Sequence, residues 1–121
     1  MRKKAEFDWI RRSDGTSEFE EFIDSLPVKD AAKLLAVIHN TEIEGIVIAT
    51  RMQWVKKLEY DLYELRSRQG SNIQRAIYFH KSGTKYVITH GFTKKTRKTP
   101  EREIEHALGM RSQYAEDNRN E

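Results

Sequence analysis

The chain contains no cysteine, and this absence excludes three kinds of chemistry. Without a thiol there is no disulfide bond, no thiolate zinc site and no cysteine nucleophile. The sequence also lacks any apolar run long enough to span a bilayer, and residues 1–15 lack the apolar core of a signal peptide. We therefore expect a cytoplasmic protein that makes no membrane contact.

Acidic and basic residues are distributed unevenly along the chain. Residues 51–98 hold twelve Lys and Arg but only three Asp and Glu, against 22 and 19 in the whole chain, so this segment carries +9 and the remainder −6. Such an asymmetry indicates that the middle segment meets a polyanion. The alternative is that exposed strands are simply solvated by lysine.

The first part of the chain is mostly helical in pattern. Apolar residues recur at helical spacing in residues 17–26, where Ser17 and Glu20 form a capping box. A second helix follows Pro27 and ends at Gly45. Residues 5–12 alternate weakly, as a first strand does, whereas residues 46–57 fit strand, helix and loop alike.

From residue 58 the pattern changes to β-structure. The runs 61–68, 72–81 and 85–94 are rich in β-branched and aromatic residues and are separated by turn residues, which predicts an antiparallel meander. Thr99 is expected to cap a final helix, with Pro100 at its first position. A chain of 121 residues suffices for one core, so we expect a single α+β domain over residues 1–121.

The meander predicts an anion site. Two-residue turns at 70–71 and 82–83 place Arg66, Arg75 and His90 side by side across three strands. Two arginines directly opposite each other repel, and a bound anion, most simply a phosphate, relieves that repulsion. Four more cations leave the third strand at the same edge: Lys94, Lys95, Arg97 and Lys98.

Metal-free RNA cleavage is a reaction that such a site can perform. The 2′-hydroxyl attacks the adjacent phosphate, which needs a proton acceptor, a proton donor and cations for the developing charge. The candidate catalytic residues are Arg66 and Arg75 as phosphate ligands, Lys94 and Lys95 for charge or proton transfer, and His90 as acid or base. The candidate RNA-binding residues are Arg68, Arg97, Lys98 and Tyr78, the last as a base-stacking platform.

Each assignment has a structural alternative. Arg66 and Arg75 are equally able to pair with Glu64 or Glu101, because an arginine in an apolar strand is costly without a partner. Tyr78 is more often a core residue than a platform, and His90 is divided between packing and a site role. The helical histidines have no second ligand at metal-like spacing, so no metal site is assigned.

Three linked motifs resemble a known family. "LYELR", then "RAIYF", then "HGFTKKTRKTPEREIEHA" resemble the toxins of type II toxin-antitoxin systems, and within them the phage-related HigB branch of the RelE/ParE superfamily. The similarity covers residues 58–115. It implies a RelE-like α+β fold, in which helices pack on one face of a small antiparallel sheet. The basic motif positions here are Arg66, Arg75, Lys94, Lys95 and, less closely, Lys98, whereas His90 stands at a variable position.

The resemblance also implies an activity and partners. HigB-like toxins are ribosome-dependent endoribonucleases that cleave mRNA during translation, inhibit growth, use no metal or cofactor, and are neutralised by a cognate helix-turn-helix antitoxin. ParE-like members of the superfamily instead poison DNA gyrase on the same scaffold, so the fold alone does not decide between them. The basic sheet edge is also compatible with a non-catalytic RNA- or ribosome-binding module, or with an inactive subunit of a complex.

Overall fold

A computed structural model describes residues 2–94 and 97–119 of the chain. The elements in chain order are β1 (Glu6–Trp9), α1 (Glu18–Ser25), α2 (Val28–Glu44), α3 (Ile46–Arg51), β2 (Val55–Glu59), β3 (Leu62–Gln69), β4 (Asn72–Ser82), β5 (Lys85–Lys94) and α4 (Glu101–Asp117). Within these two ranges, no helix has both the length and the apolar character needed to cross a membrane.

One five-stranded sheet organises the fold. Its strand order is β1-β5-β4-β3-β2, and all neighbours are antiparallel except β1, which runs parallel to β5. The predicted meander is confirmed as β3 to β5, and the predicted first strand as β1. Residues 46–57, whose pattern fits several structures, form α3 and the beginning of β2. The α+β class is thus confirmed, in an arrangement consistent with the RelE-like fold.

The two faces of the sheet pack against different helices. Because side chains alternate along a strand, Ala76 and Tyr78 of β4 point to one face and Ile77 to the other. The first side, here called the hairpin face, packs against Phe19 of α1 and Leu34 of α2. The second, here called the α4 face, contains Leu62, Ile77 and Phe92, packed against Ala107 of α4. The N-terminal helices lie on one face, as the resemblance implies, and α4 covers the other.

The end of α2 agrees with the sequence prediction, and so does the Ser17 half of the capping box predicted at the start of α1. The Ser17 hydroxyl accepts a hydrogen bond from the Glu20 amide at 3.3 Å, so Ser17 is the N-cap. The Glu20 carboxylate accepts a hydrogen bond from Arg11 at 2.9 Å, which ties α1 to the segment after β1. The second helix ends at Gly45, whose φ of +91° is a conformation that glycine adopts without strain.

The predicted cap of α4 is wrong. Pro100 occupies the N-cap position, and Thr99 instead turns into the protein, where it is buried. Its hydroxyl donates to Glu64 at 2.6 Å. The Thr99 hydroxyl thus donates to a buried carboxylate, where no water competes, and is turned away from the N–H donors at the start of α4.

The first hairpin has the predicted register and the second does not. Arg66 pairs with Arg75, and Gly70 opens a two-residue turn with a φ of +62°. In the second hairpin Ser82 pairs with Lys85, so the turn is 83–84 and not 82–83. The positive φ of +53° lies at residue 83, as the first position of this turn. This turn and the bulge in β4–β5 place Phe92 opposite Arg75.

Candidate nucleic-acid interface

A basic cleft opens on the α4 face, where β3 continues beyond the start of β2. Its volume is about 510 Å³. The lining residues are Gln53, Lys56, Arg66, Ser67, Arg68, Ile73, Arg75 and Arg97. Five of these eight residues are Lys or Arg, and no acidic residue in the described part of the chain lines the cleft. Such a lining favours a polyanion and disfavours a neutral ligand.

Arg66 and Arg68 are the accessible cations that β3 contributes to the cleft. They follow each other at period two along β3, so both lie on the α4 face. Arg66 is half-buried, and its Nη2 donates to the Gln53 carbonyl at 3.3 Å. Arg68 is exposed. A phosphate that enters the cleft therefore meets two guanidinium groups, each able to bind it through two N–H donors.

Arg75 lies opposite Arg66 but is fully buried. Its Nε is 3.8 Å from Oε1 of Glu64, which is also fully buried, so the alternative of pairing with Glu64 is confirmed. Burial lowers the pKa of Arg75 below its usual value, Glu64 partly offsets this effect, and the charge of Arg66 lowers the pKa further. Arg75 lines the floor of the cleft, and its direct contact with a phosphate stays a prediction.

The same guanidinium also holds the segment between β5 and α4. Nη2 donates to the Arg97 carbonyl at 2.8 Å, and Nη1 donates to the Thr99 hydroxyl at 3.4 Å. Thr99 in turn donates to Oε2 of Glu64. Three buried side chains, one from each of β3, β4 and this segment, thus form a connected polar network below the cleft.

The cations after β5 stand at the border of the cleft. The Arg97 side chain is exposed and lines the cleft, and that of Lys98 is exposed as well. Lys94 is half-buried at the end of β5, opposite Ile73, which lines the cleft. Lys95 lies outside the described residues.

His90 is not beside Arg75, contrary to the prediction. It faces Ile77 and is buried under α4, where its Nε2 is 3.1 Å from Oε1 of Glu103. Its Nδ1 lies 3.0 Å from the Thr89 hydroxyl. Burial lowers the pKa of His90 below 6.5, and Glu103 partly counteracts this shift. With the second hairpin displaced, His90 joins the α4 packing and not the cleft.

Tyr78 cannot serve as a base platform, which corrects a second assignment. It is fully buried on the hairpin face, stacked on Tyr63 and edge-on to Phe7. Burial raises the pKa of its phenol well above 10.0. An offset of three residues places Tyr78 and Arg75 on opposite faces of β4, and this spacing is readable in the sequence.

The fold and the cleft agree with a family assignment. The pattern of phage-derived Gp49-like proteins (DUF891) matches residues 21–112, about three quarters of the chain. The chain belongs to the Gp49-like family. The match spans every lining residue of the cleft and continues into α4. No curated protein matches the chain.

Four lining residues of this Gp49-like cleft escaped the sequence analysis: Gln53, Lys56, Ser67 and Ile73. Gln53 and Lys56 fall in residues 46–57, whose pattern fits several structures. Lys56 pairs with Glu64 across β2 and β3, which places it on the α4 face. The local excess of Lys and Arg is the one sequence signal that includes Lys56. Over residues 2–94 and 97–119, no group of three or more His, Asp or Glu side chains has metal-binding geometry.

Proposed function

We propose that this Gp49-like protein is the toxin of a type II toxin-antitoxin system and acts as a ribosome-dependent, metal-independent mRNA endoribonuclease. The cleft is the observation that carries the proposal. Its described lining contains five cations and no acid, as a phosphodiester backbone requires. The reaction is proposed because the motifs around the cleft resemble those of HigB-like toxins. Membership in a phage-derived family is compatible with the phage-related branch of those toxins.

In the proposed reaction the cleft acts mainly by electrostatics. The scissile phosphate sits between Arg66 and Arg68, and negative charge increases on its oxygens as the 2′-hydroxyl attacks. Preorganised guanidinium groups stabilise that charge without having to reorient during the reaction. Proton transfer is assigned to the lysines after β5, Lys94 and Lys95, since His90 lies beneath α4.

The proposed partners are the translating ribosome with its mRNA and a cognate helix-turn-helix antitoxin, all in the cytoplasm. A neutralising partner has two ways to act on a cationic cleft: it covers the cleft with acidic residues, or it prevents entry into the ribosome. A complex in which Arg66 and Arg68 stay exposed would favour the second way.

Primer extension on mRNA in a reconstituted translation reaction tests the function. We expect new 5′ ends within translated codons when the protein is added, and none when ribosomes are omitted. EDTA cannot be present during the reaction, because ribosomes need magnesium. The purified protein is therefore treated with chelator and dialysed before the reaction, which tests whether cleavage needs a metal bound tightly to the protein. Intact mRNA in reactions where the protein binds ribosomes would contradict the nuclease.

A non-catalytic RNA- or ribosome-binding module is the second candidate. One observation favours it: no His, Asp or Glu stands among the described lining residues of the cleft, so a conventional acid-base pair is not in place there. Ribosome binding without cleavage would support this module. If the protein neither binds ribosomes nor arrests translation, the next experiment would test DNA gyrase, the target of the ParE-like alternative.

A further inference from the structure

The buried network of Glu64, Arg75 and Thr99 lies directly below the proposed RNA site, and Thr99 connects the other two side chains. Thr99 lies between two ionised groups: it accepts from Arg75 at 3.4 Å and donates to Glu64 at 2.6 Å. All three side chains are at most 5% exposed. A hydroxyl is well suited to this place, because it is both a donor and an acceptor.

This network determines where Arg97 stands. The Arg97 side chain is exposed, and the described contact that anchors the residue is its carbonyl, which accepts from Arg75. Thr99 is anchored two residues later, immediately before Pro100 and α4. The backbone of residues 97–99 is therefore attached to the sheet at both ends, while the exposed Arg97 lines the cleft.

We propose that Thr99 is a positioning residue for RNA binding, which acts by holding Arg97 against the wall of the cleft through its links to Arg75 and Glu64. This inference rests on the proposed function, since it takes the cleft to be an RNA-phosphate site. The side chain of Thr99 does not touch the substrate. Its hydroxyl reduces the conformational freedom of residues 97–99, so that Arg97 meets the phosphate without a further ordering cost.

Replacement of Thr99 by Val tests this role, because valine has a similar shape and no hydroxyl. The readout is the Kd of a fluorescently labelled single-stranded RNA 12-mer, measured by anisotropy, which needs neither a ribosome nor cleavage. We expect Thr99→Val to weaken RNA binding by roughly tenfold, because the contact of Arg97 with the phosphate is lost. Tenfold is the typical effect of losing one hydrogen bond between charged groups. We expect Thr99→Ser, which keeps the hydroxyl, to bind within about twofold of the wild type.

A matched control separates positioning from general loss of structure. Thr41 is fully buried in α2, its hydroxyl donates to the Val37 carbonyl of the same helix at 2.8 Å, and it is not among the lining residues of the cleft. Thr41→Val should leave the Kd for RNA unchanged. If Thr99→Val does not fold, Thr99→Ala takes its place, since alanine removes the hydroxyl and adds no apolar bulk.

A double-mutant cycle with Arg97→Ala decides whether Thr99 acts through Arg97. If it does, Thr99→Val changes the Kd by less than about twofold once Arg97 is alanine, because coupled residues are not additive. Fully additive effects, a Thr99→Val variant that binds like the wild type, or a Thr99→Ser variant as weak as Thr99→Val would overturn the inference. A wild type that does not bind the 12-mer would overturn it too.

The outcomes also separate this inference from the proposed function. Wild-type protein that binds RNA with the expected coupling, yet leaves translated mRNA intact, refutes the nuclease and supports the positioning role. Wild-type protein that cleaves mRNA while the two substitutions are additive supports the nuclease and refutes the positioning role. In the cleavage assay, a positioning defect raises KM more than it lowers kcat.

Discussion

At the scale of single residues, the buried pair of Glu64 and Arg75 is the feature on which the site depends. Arg75 is placed opposite Arg66 by the register of the first hairpin, and a second guanidinium there would be repelled without an acid. Glu64 provides that acid from within the protein. The structure thus resolves the repulsion with an internal carboxylate under the floor of the cleft and leaves Arg66 and Arg68 accessible for an external anion.

Replacing Glu64 by Gln should destabilise the protein strongly. The substitution removes the negative charge beside a buried guanidinium. Removing one partner of a buried ion pair lowers the unfolding free energy by roughly 3–5 kcal/mol. Urea unfolding followed by circular dichroism measures the change. Glu59→Gln, at an exposed position on β2, is the charge-matched control and should shift stability by less than about 0.5 kcal/mol. A Glu64→Gln variant as stable as this control would contradict the account.

His90 should make stability depend on pH in the mildly acidic range. Its pKa is lowered in the folded state, so the unfolded chain takes up a proton near pH 6.5 that the folded chain does not. Stability is therefore fully present above 6.5 and is lost as pH falls towards the lower folded pKa. The groups around the ring are Thr89, Glu103 and His106, the last with its ring centroid 4.7 Å away.

Urea unfolding across this pH range tests the assignment. His90→Gln should flatten the decline of unfolding free energy between about pH 7 and 5, because glutamine does not titrate. The exposed His39 of α2 serves as the control, since His39→Gln should leave the decline in place. An unchanged decline in His90→Gln would assign it to other groups.

At the scale of elements, the sequence determined the first hairpin better than the second. The turn at 70–71 lies between strands that pair without irregularity, so counting from Gly70 gives the pairing of Arg66 with Arg75 correctly. Between β4 and β5 the register shifts twice, and the turn begins one residue later than predicted. A bulge depends on packing from outside the hairpin, so a count from the turn does not reveal it.

The contact of α1 with β5 depends on a missing side chain. Gly91 pairs with Ala76, and a Cβ built on Gly91 would lie 2.3 Å from Cδ2 of Phe22 and 3.0 Å from the carbonyl oxygen of Arg75. Gly91→Ala must therefore displace the Phe22 ring or α1 itself, at a cost of about 1–3 kcal/mol. Gly109 has open space around its Cβ position, so Gly109→Ala is the control and should not destabilise. Equal stability of the two variants by thermal unfolding would contradict this packing.

At the scale of the whole molecule, charge is separated between two regions. The acidic residues of α1 lie on the helical hairpin, whereas the lining of the cleft is basic and belongs mainly to β2, β3, β4 and the segment before α4. The excess of Lys and Arg in residues 51–98 predicted this basic region correctly. This excess alone did not predict which cations share the cleft, because this depends on where β2 begins and on the internal pairing of Arg75.

The fold class was predictable from the sequence because periodicity and turn residues agree along β3 to β5. The site was predictable in part. Arg66, Arg68, Arg75 and Arg97 are brought together as expected, whereas His90 and Tyr78 belong to the packing on the two faces of the sheet. Neither misplacement comes from the residue types. His90 is misplaced because the register of the second hairpin shifts, which tertiary packing determines, whereas the face of Tyr78 follows from its odd spacing to Arg75 along β4.

The central claim is that the cleft holds the scissile phosphate. Its most direct test compares Arg66→Ala with Lys33→Ala by the single-turnover rate of mRNA cleavage on programmed ribosomes. Lys33 is exposed on α2, on the hairpin side of the sheet, so its loss changes net charge equally and leaves the cleft intact. We predict a decrease of roughly 10²–10³-fold for Arg66→Ala, as for the loss of one preorganised charge-stabilising donor, with Lys33→Ala at the wild-type rate. Equal cleavage rates for the two variants would contradict the account.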